Sequence, residues 1–444
     1  MTASVITPGG PSRGRTGDRP KLLVTTTTLP RFEADPEPRF VLDLSRELGR
    51  RFDVTVLAPA DPAAALEETL EGVRVLRYWY APARSMETLA YPGAVLPRIR
   101  DKPARAILVP MLVAGLYLAV RRLMAAERFD CVHAHWLVPQ GAVQWMASGP
   151  DAPPYVVTSH GGDVSSLNNR WITRLGCGTL SRAAAATAVS RDAADTMRRR
   201  FGPSLPPGDV AFIPMGASLK RFNPRFRDDG WAEAHGFARP LLLFVGRLAE
   251  KKGLTVLLKA MASETLRRTG AHLAIIGDGP LRQQLENEAR TLVVADRVRF
   301  LGPTCGESLH EAFASADVFC APSVIARNGD CDGTPTVLIE AAASGIPSVA
   351  SDVGGIADLV VNGTTGRVVP PGDVDALAGA LAEYLADADL RRAHGAAARH
   401  HSRAYDWSNI GGRYGDLIAE VIARHRAEPA DTVAPPVRVA AGSR

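Results

Sequence analysis

The sequence predicts an α/β protein made of two doubly wound parallel sheets facing a central cleft. Two observations carry that expectation. Short β-branched apolar runs alternate with amphipathic segments along most of the 444 residues, the signature of βαβ units. The alternation stops near residue 217 and restarts near residue 240, and the length suits two or three domains of ~150 residues.

Residues 1–19 lack the apolar stretch of a secretory signal and, with 427–444, are rich in Pro, Gly and small residues. Both read as disordered tails. The first domain spans 20–217. Its opening strand is "KLLVTTTT" (21–28), after which Phe40, Val41, Leu44 and Leu48 share one helical face. "DVTVLAP", "CVHAHW", "YVVTSH" and "ATAVS" are strand-sized, and Ser190 caps a helix that Gly202 follows. The apolar run "AILVPMLVAGLYLAV" (106–120) carries Pro110 and has arginines at 105, 121 and 122. It is shorter than the ~20 residues a spanning helix needs. It reads as a buried helix of the first domain or, failing that, as an interfacial membrane contact. Residues 218–239 show turn and charge signals without a period and read as a linker. From 240 to 406 the strands "PLLLFVGR", "HLAIIGDG", "RVRFLG", "VFCAPS" and "PSVAS" alternate with helical segments.

Composition narrows the function. A net charge of +5 is too small to argue for nucleic acid, yet suits a protein handling phosphates or resting near an anionic membrane. Five scattered cysteines without CxxC spacing argue against a zinc site or disulfide framework and make a reducing cytoplasm the default.

Ligands of open α/β sheets sit at the carboxyl ends of the strands, so the residues that follow each strand are the candidates for chemistry. In "FVGRLAEKKG" a strand ends at Gly246, and Arg247 and Lys252 follow in the loop. They are either a solvated charge cluster or a diphosphate site, where each charge-assisted bond contributes ~1.5–3 kcal/mol. In "IIGDGPLRQQL" the Gly277–Gly279 turn lets backbone approach a nucleotide. Arg282 stands where a dinucleotide fingerprint needs its third glycine, which argues against NAD.

"NGDCDGTPTVLIEAAASG" (328–345) matches the first half of a calcium loop through Asn328, Asp330, Asp332 and Gly333. The match then fails, because Ile339 occupies the bidentate acid's place and Pro335 interrupts. A helix start fits better, with Thr334 as N-cap, Pro335 in the first turn and the amides of Thr336 and its neighbours free for a phosphate. Glu340 lies six residues past that cap, ~9 Å along the axis. A carboxylate among apolar neighbours needs a partner, and a ribose diol would supply one. In "VVTSHGGDV", His160 ends a strand before Gly161, Gly162 and Asp163; the glycines allow close approach to a ligand, while the histidine is either structural or cleft-facing. His133 and His135 share a strand face with no third metal ligand evident, which leaves substrate contact or packing.

Taken together, "HAHWLVPQG", "VTSHGGDV", "IPMGASLKRFNP", "FVGRLAEKKG", "IIGDGPL", "DGTPTVLIEAAASGIPSVASDVGGIADLV" and "NGTTGRVVPPGD" resemble the retaining family 4 glycosyltransferases of GT-B fold. "RYWYAPARSMETLAYPGA" is similar to the branch that builds exopolysaccharides and lipid-linked oligosaccharides. The resemblance implies two Rossmann-like domains, with a helix over 407–426 crossing back onto the first. It implies transfer of a hexosyl group from a UDP- or GDP-linked sugar to a glycan, lipid-linked or small-molecule acceptor, without a metal or resident cofactor. The enzyme would be cytoplasmic, touch the inner membrane face peripherally and bind no nucleic acid.

On this resemblance Arg247 and Lys252 neutralise the leaving diphosphate, Glu340 holds the ribose, Asp332 the donor hexose, and His160 lies near the reacting carbon. Gly161, Asp163, Gly246, Gly277, Gly279, Gly333, Thr334, Pro335 and Thr336 line the donor, and His135 and Trp136 the acceptor. Two departures stand out. Asp332 replaces the family's first glutamate, and "TTTTLPRFEADPEP" replaces a glycine-rich loop after the first strand. A nucleotide-sugar 2-epimerase of the same fold is the alternative.

Overall fold

The computed structural model describes residues 19–33, 35–93, 95–165, 169–327 and 329–427. Residues 1–18 and 428–444 of the expected tails, and Asn328 of the calcium-loop comparison, lie outside the described residues.

The first sheet contains β1 (Lys21–Thr25), β2 (Asp53–Pro59), β3 (Glu67–Leu70), β4 (Val73–Tyr78), β5 (Cys131–His135), β6 (Tyr155–Ser159), β7 (Ala185–Ala188) and β8 (Val210–Phe212), in the spatial order β3-β4-β2-β1-β5-β6-β7-β8. Only the β3–β4 pair is antiparallel. This hairpin is absent from the sequence reading because "EETL" has no apolar run. The second sheet contains β9 (Leu241–Val245), β10 (His272–Ile276), β11 (Val298–Gly302), β12 (Val318–Ala321), β13 (Ser348–Ser351) and β14 (Gly366–Val369). It is wholly parallel, in the order β11-β10-β9-β12-β13-β14. Strand order reverses between β1 and β5 in one sheet and between β9 and β12 in the other. These reversals are where doubly wound sheets open a crevice for ligands.

β1 is shorter than "KLLVTTTT" suggests. The Thr26 hydroxyl donates to the Thr28 carbonyl and accepts from the Thr28 amide, both at 3.0 Å. A side chain bonding its own backbone competes with the ladder and turns the chain out of the sheet.

The helix Trp407–Ala427 buries Trp407, Ile410, Tyr414, Ile418, Val421 and Ile422, a stripe at three- and four-residue spacing, against Leu22, Val24, Val41 and Leu44 of the first domain. Segment 218–239 is not an open tether. Phe222, Trp231 and Phe237 are buried in the second domain's core with Leu241, Leu243 and Phe313. Its helical turns are too short to show a period, so its aromatics were the only sequence signal.

The helix Leu108–Ala126 buries only Leu108, Leu112, Leu116 and Val120, one stripe at four-residue spacing, with Gly115 against the Trp79 carbonyl. The expectation of a buried helix is therefore corrected. Ile107 is 76% and Leu118 50% exposed, and residues 103–126 are long and apolar enough to cross a membrane by length and composition.

Candidate active site

The loop after β9 is forced against the end of β12. Gly253 has φ +64°, and a Cβ there would sit 1.8 Å from the Pro322 carbonyl oxygen, so only glycine fits. That turn delivers Lys252, whose Nζ lies 2.9 Å from Asp332 Oδ2. The same oxygen accepts the Ser323 hydroxyl at 2.7 Å. Lys251 donates to Asp330 at 3.2 Å and stands 3.9 Å from Asp332 Oδ1. Asp332 is buried. Burial alone would raise its pKa, but Lys252 and Lys251 together hold it below the usual carboxylate range.

Arg247 is half-buried, and the described residues give its guanidinium no hydrogen bond or ion pair. Burial lowers its pKa, while the charge of Glu37 across the cleft pulls the other way. A desolvated cation without an anion at a switch point is a ready phosphate ligand. Gly246, Gly277 and Gly279 pack the loops after β9 and β10 together. A Cβ on Gly277 would meet the Gly246 carbonyl at 2.0 Å and one on Gly279 the Leu248 carbonyl at 2.5 Å.

The helix Thr336–Ala343 starts one turn-position later than expected. Pro335 occupies the cap position and Thr336 is the first helical residue. Thr334 is no cap, because its hydroxyl donates to the Val189 carbonyl of the first domain. Among the described residues no side chain caps this helix, so its first amides are open to an anion. Glu340 is half-buried with a pKa pushed up to about 7. Burial is the main cause, opposed by Arg221 and a bond with Thr336 and reinforced by Asp43. Arg221 is engaged by Asp43 at 2.6 Å, so Glu340 shares this cation with a second carboxylate.

In the first domain, His160 Nε2 lies 2.9 Å from His135 Nδ1. His135 is fully buried. Its expected place on the acceptor side is thus corrected: strand alternation turns it inward beside His133, whose ring in turn packs against Tyr414. His133 bonds the Thr158 hydroxyl at 2.7 Å. Burial pushes His133 and His160 down to about 3 and lowers His135 as well, so this ladder is neutral. Trp136 stays half-buried at the strand end with φ +75°, its ring 4.5 Å from His160.

Asp163 is buried with both oxygens engaged, by the Leu137 amide and the Ser159 hydroxyl at 2.7 Å each. It ties the ends of β5 and β6 together and is not free for donor contact. Gly161 and Gly333 are where the domains meet: a Cβ on Gly333 would stand 2.9 Å from the His160 carbonyl oxygen. Sequence reasoning missed Ser323, Asp43, Arg221 and Glu37; of these only Arg221 sits in a quoted motif, "IPMGASLKRFNP", which gave it no role. The acids of "DLSREL" and "DPEP" were the only hint. Among the described residues no three His, Cys, Asp or Glu side chains cluster as metal ligands would.

Comparison with known proteins identifies the family. Residues 38–221 match Glycosyltransferase Family 4 and residues 229–401 match Glycosyl transferases group 1. The chain is 31% identical to a GDP-mannose-dependent α-(1-6)-phosphatidylinositol monomannoside mannosyltransferase of Mycolicibacterium smegmatis, over 84% of this chain and 92% of that one. It is 30% identical to a phosphatidyl-myo-inositol mannosyltransferase of Mycobacterium leprae, over 83% and 89%. Such relatives do not support the exopolysaccharide branch. Among solved structures, sucrose-phosphate synthase from Thermosynechococcus elongatus shares the fold with TM-score 0.72 at 23% identity, covering 91% of this chain and all of that one. Anabaena HepE bound to UDP and glucose does so with TM-score 0.68 at 18%, covering 90% and 100%. Two switch-point crevices, the crossing helix and these matches lead to one assignment: the chain belongs to the family 4 glycosyltransferases of GT-B fold.

Proposed function

We propose that the protein is a retaining hexosyltransferase that moves mannose from GDP-mannose to the inositol or mannose ring of a phosphatidylinositol lipid, with no metal or resident cofactor, at the cytoplasmic membrane face. The half-buried, unpartnered Arg247 beside the Lys252–Asp332 pair carries this reading. These cations and the open amides at Thr336 meet the charge that builds on a departing diphosphate, the largest electrostatic task of glycosyl transfer. Glu340 accepts the ribose hydroxyls, and Asp332 those of the hexose. The acceptor hydroxyl approaches the face the diphosphate leaves, C1 exchanges its bond to phosphate for one to that hydroxyl, and the proton passes to the leaving phosphate oxygen. A glycosidase-type carboxylate pair is not needed for this route.

The donor and acceptor are those named for the mycobacterial relatives. Membrane contact is supported by the apolar outer face of helix Leu108–Ala126 with exposed Ile107 and Leu118, by exposed Trp79 and Met86 in the same domain, and by exposed Lys102, Arg121 and Arg122 at the helix ends. Five free cysteines suit a reducing compartment.

The test is to incubate the protein with GDP-mannose and phosphatidylinositol in mixed micelles, with and without EDTA. Product is followed by mass spectrometry and its anomeric configuration by NMR. An α-mannosyl lipid formed equally in both supports the reading. Absence of lipid product, or donor altered without acceptor as an epimerase would do, overturns it.

A further inference from the structure

The loop from β1 to Phe40 borders the switch point of the first sheet, opposite Arg247. It is held by a clamp. Arg31 donates to Asp35 Oδ2 from its amide at 2.7 Å and from Nε at 2.8 Å, and to Oδ1 from Nη2 at 2.9 Å. Pro36 and Pro38 stiffen the residues that follow, and Glu37 between them is 7% exposed. One of its oxygens, Oε1, accepts the Gly93 amide at 2.6 Å. The other, Oε2, is buried and has no hydrogen-bond partner among the described residues.

Gly93 is also the neighbour of Arg247: a Cβ there would stand 2.9 Å from Nη1. Carboxylate and guanidinium therefore flank the same glycine from opposite lips of the cleft without bonding each other. An unpartnered buried carboxylate oxygen is costly and is retained where a ligand completes it. The cation's missing partner is the diphosphate. The anion's missing partner must be a hydrogen-bond donor beside that diphosphate.

We propose that Glu37 receives a ring hydroxyl of the acceptor and so marks the acceptor subsite, whose ligand is a polyol ring, cyclitol or hexose. Its Oε2 becomes accessible as the Arg247 guanidinium moves from Gly93 onto the diphosphate. Glu37 orients the acceptor and keeps no proton, which leaves with the phosphate. The inference rests on the diphosphate site proposed above.

Glu37→Gln keeps the size and the bond to Gly93 but turns the free oxygen into a donor; Glu37→Asp retracts it. With GDP-mannose and phosphatidylinositol micelles, both variants should lower kcat/KM for acceptor at least ~10-fold, while GDP affinity by calorimetry and the melting temperature stay at wild-type values. Unchanged acceptor kcat/KM, or GDP affinity falling in parallel, overturns the proposal. Should the wild type itself fail with this pair, the functional reading falls, and saturation-transfer NMR decides on Glu37. Methyl α-mannoside and myo-inositol should then receive saturation from GDP-loaded wild type and not from Glu37→Gln; equal transfer to both proteins, or none to the wild type, overturns it.

Discussion

Lys252 Nζ lies 2.9 Å from Asp332 Oδ2. The cation that would meet the leaving group and the carboxylate that would meet the donor sugar hold each other in place before donor arrives. Their joint burial is tolerable because the charges cancel and Ser323 supplies one more hydrogen bond. The arrangement is preorganised, and breaking either half leaves an uncompensated buried charge.

Lys252→Ala should therefore cut turnover at least ~100-fold and destabilise the protein by about 3 kcal/mol. Adding Asp332→Asn should restore most of the melting temperature and none of the turnover. Denaturant melts and steady-state kinetics on the two variants separate these effects.

Glu340 carries a pH signature. Its pKa stands at about 7 against an ordinary 4.5, so the folded state holds a proton that the unfolded chain releases. Stability contributed by that proton is present below the unfolded value and is lost as pH rises through about 7. Glu340→Gln should melt progressively higher than wild type between pH 5 and 8. It should also abolish the rise in GDP affinity that ionisation of Glu340 gives the wild type over the same range. Thermal melts and calorimetry in a pH series measure both.

Gly333→Ala would place a methyl 2.9 Å from the His160 carbonyl oxygen at a seam that Thr334 also spans with its bond to the Val189 carbonyl. Each domain's core is untouched, so melting should change little. Misaligning the two crevices should lower kcat ~10- to 100-fold. Wild-type kcat in this variant would mean that the seam does not set the geometry.

Replacing Ile107 and Leu118 with Glu should reduce cosedimentation with anionic vesicles at least ~10-fold without changing the melting temperature. Arg121→Glu with Arg122→Glu should weaken binding most at low salt, by ~1 kcal/mol per charge. Salt-dependent vesicle binding distinguishes the apolar from the ionic part.

Alternation of apolar runs made both sheets legible, because βαβ units repeat a local pattern; the crossing helix was legible only through the family resemblance. The placement of Arg247 and Lys252 in the loop after β9 was legible too, since a strand end followed by a basic loop fixes their position. What escaped depends on contacts across the cleft. Thr334 looks like an N-cap until Val189, 145 residues away, claims its hydroxyl. His135 looks like a cleft residue until its ring is found fully buried between those of His133 and His160. Asp43, Arg221 and Glu340 form one electrostatic group from three separate segments, and no local spacing announces it. The helix over 106–120 was misread as buried because composition does not reveal which face the sheet covers.

The most direct measurement is a crystal structure of the protein with GDP bound. The account expects the diphosphate at the β9–β12 crevice within hydrogen-bond reach of Arg247, Lys252 and the Thr336 amide, with the ribose diol on Glu340. A diphosphate bound elsewhere, with Arg247 still against Gly93, would contradict it.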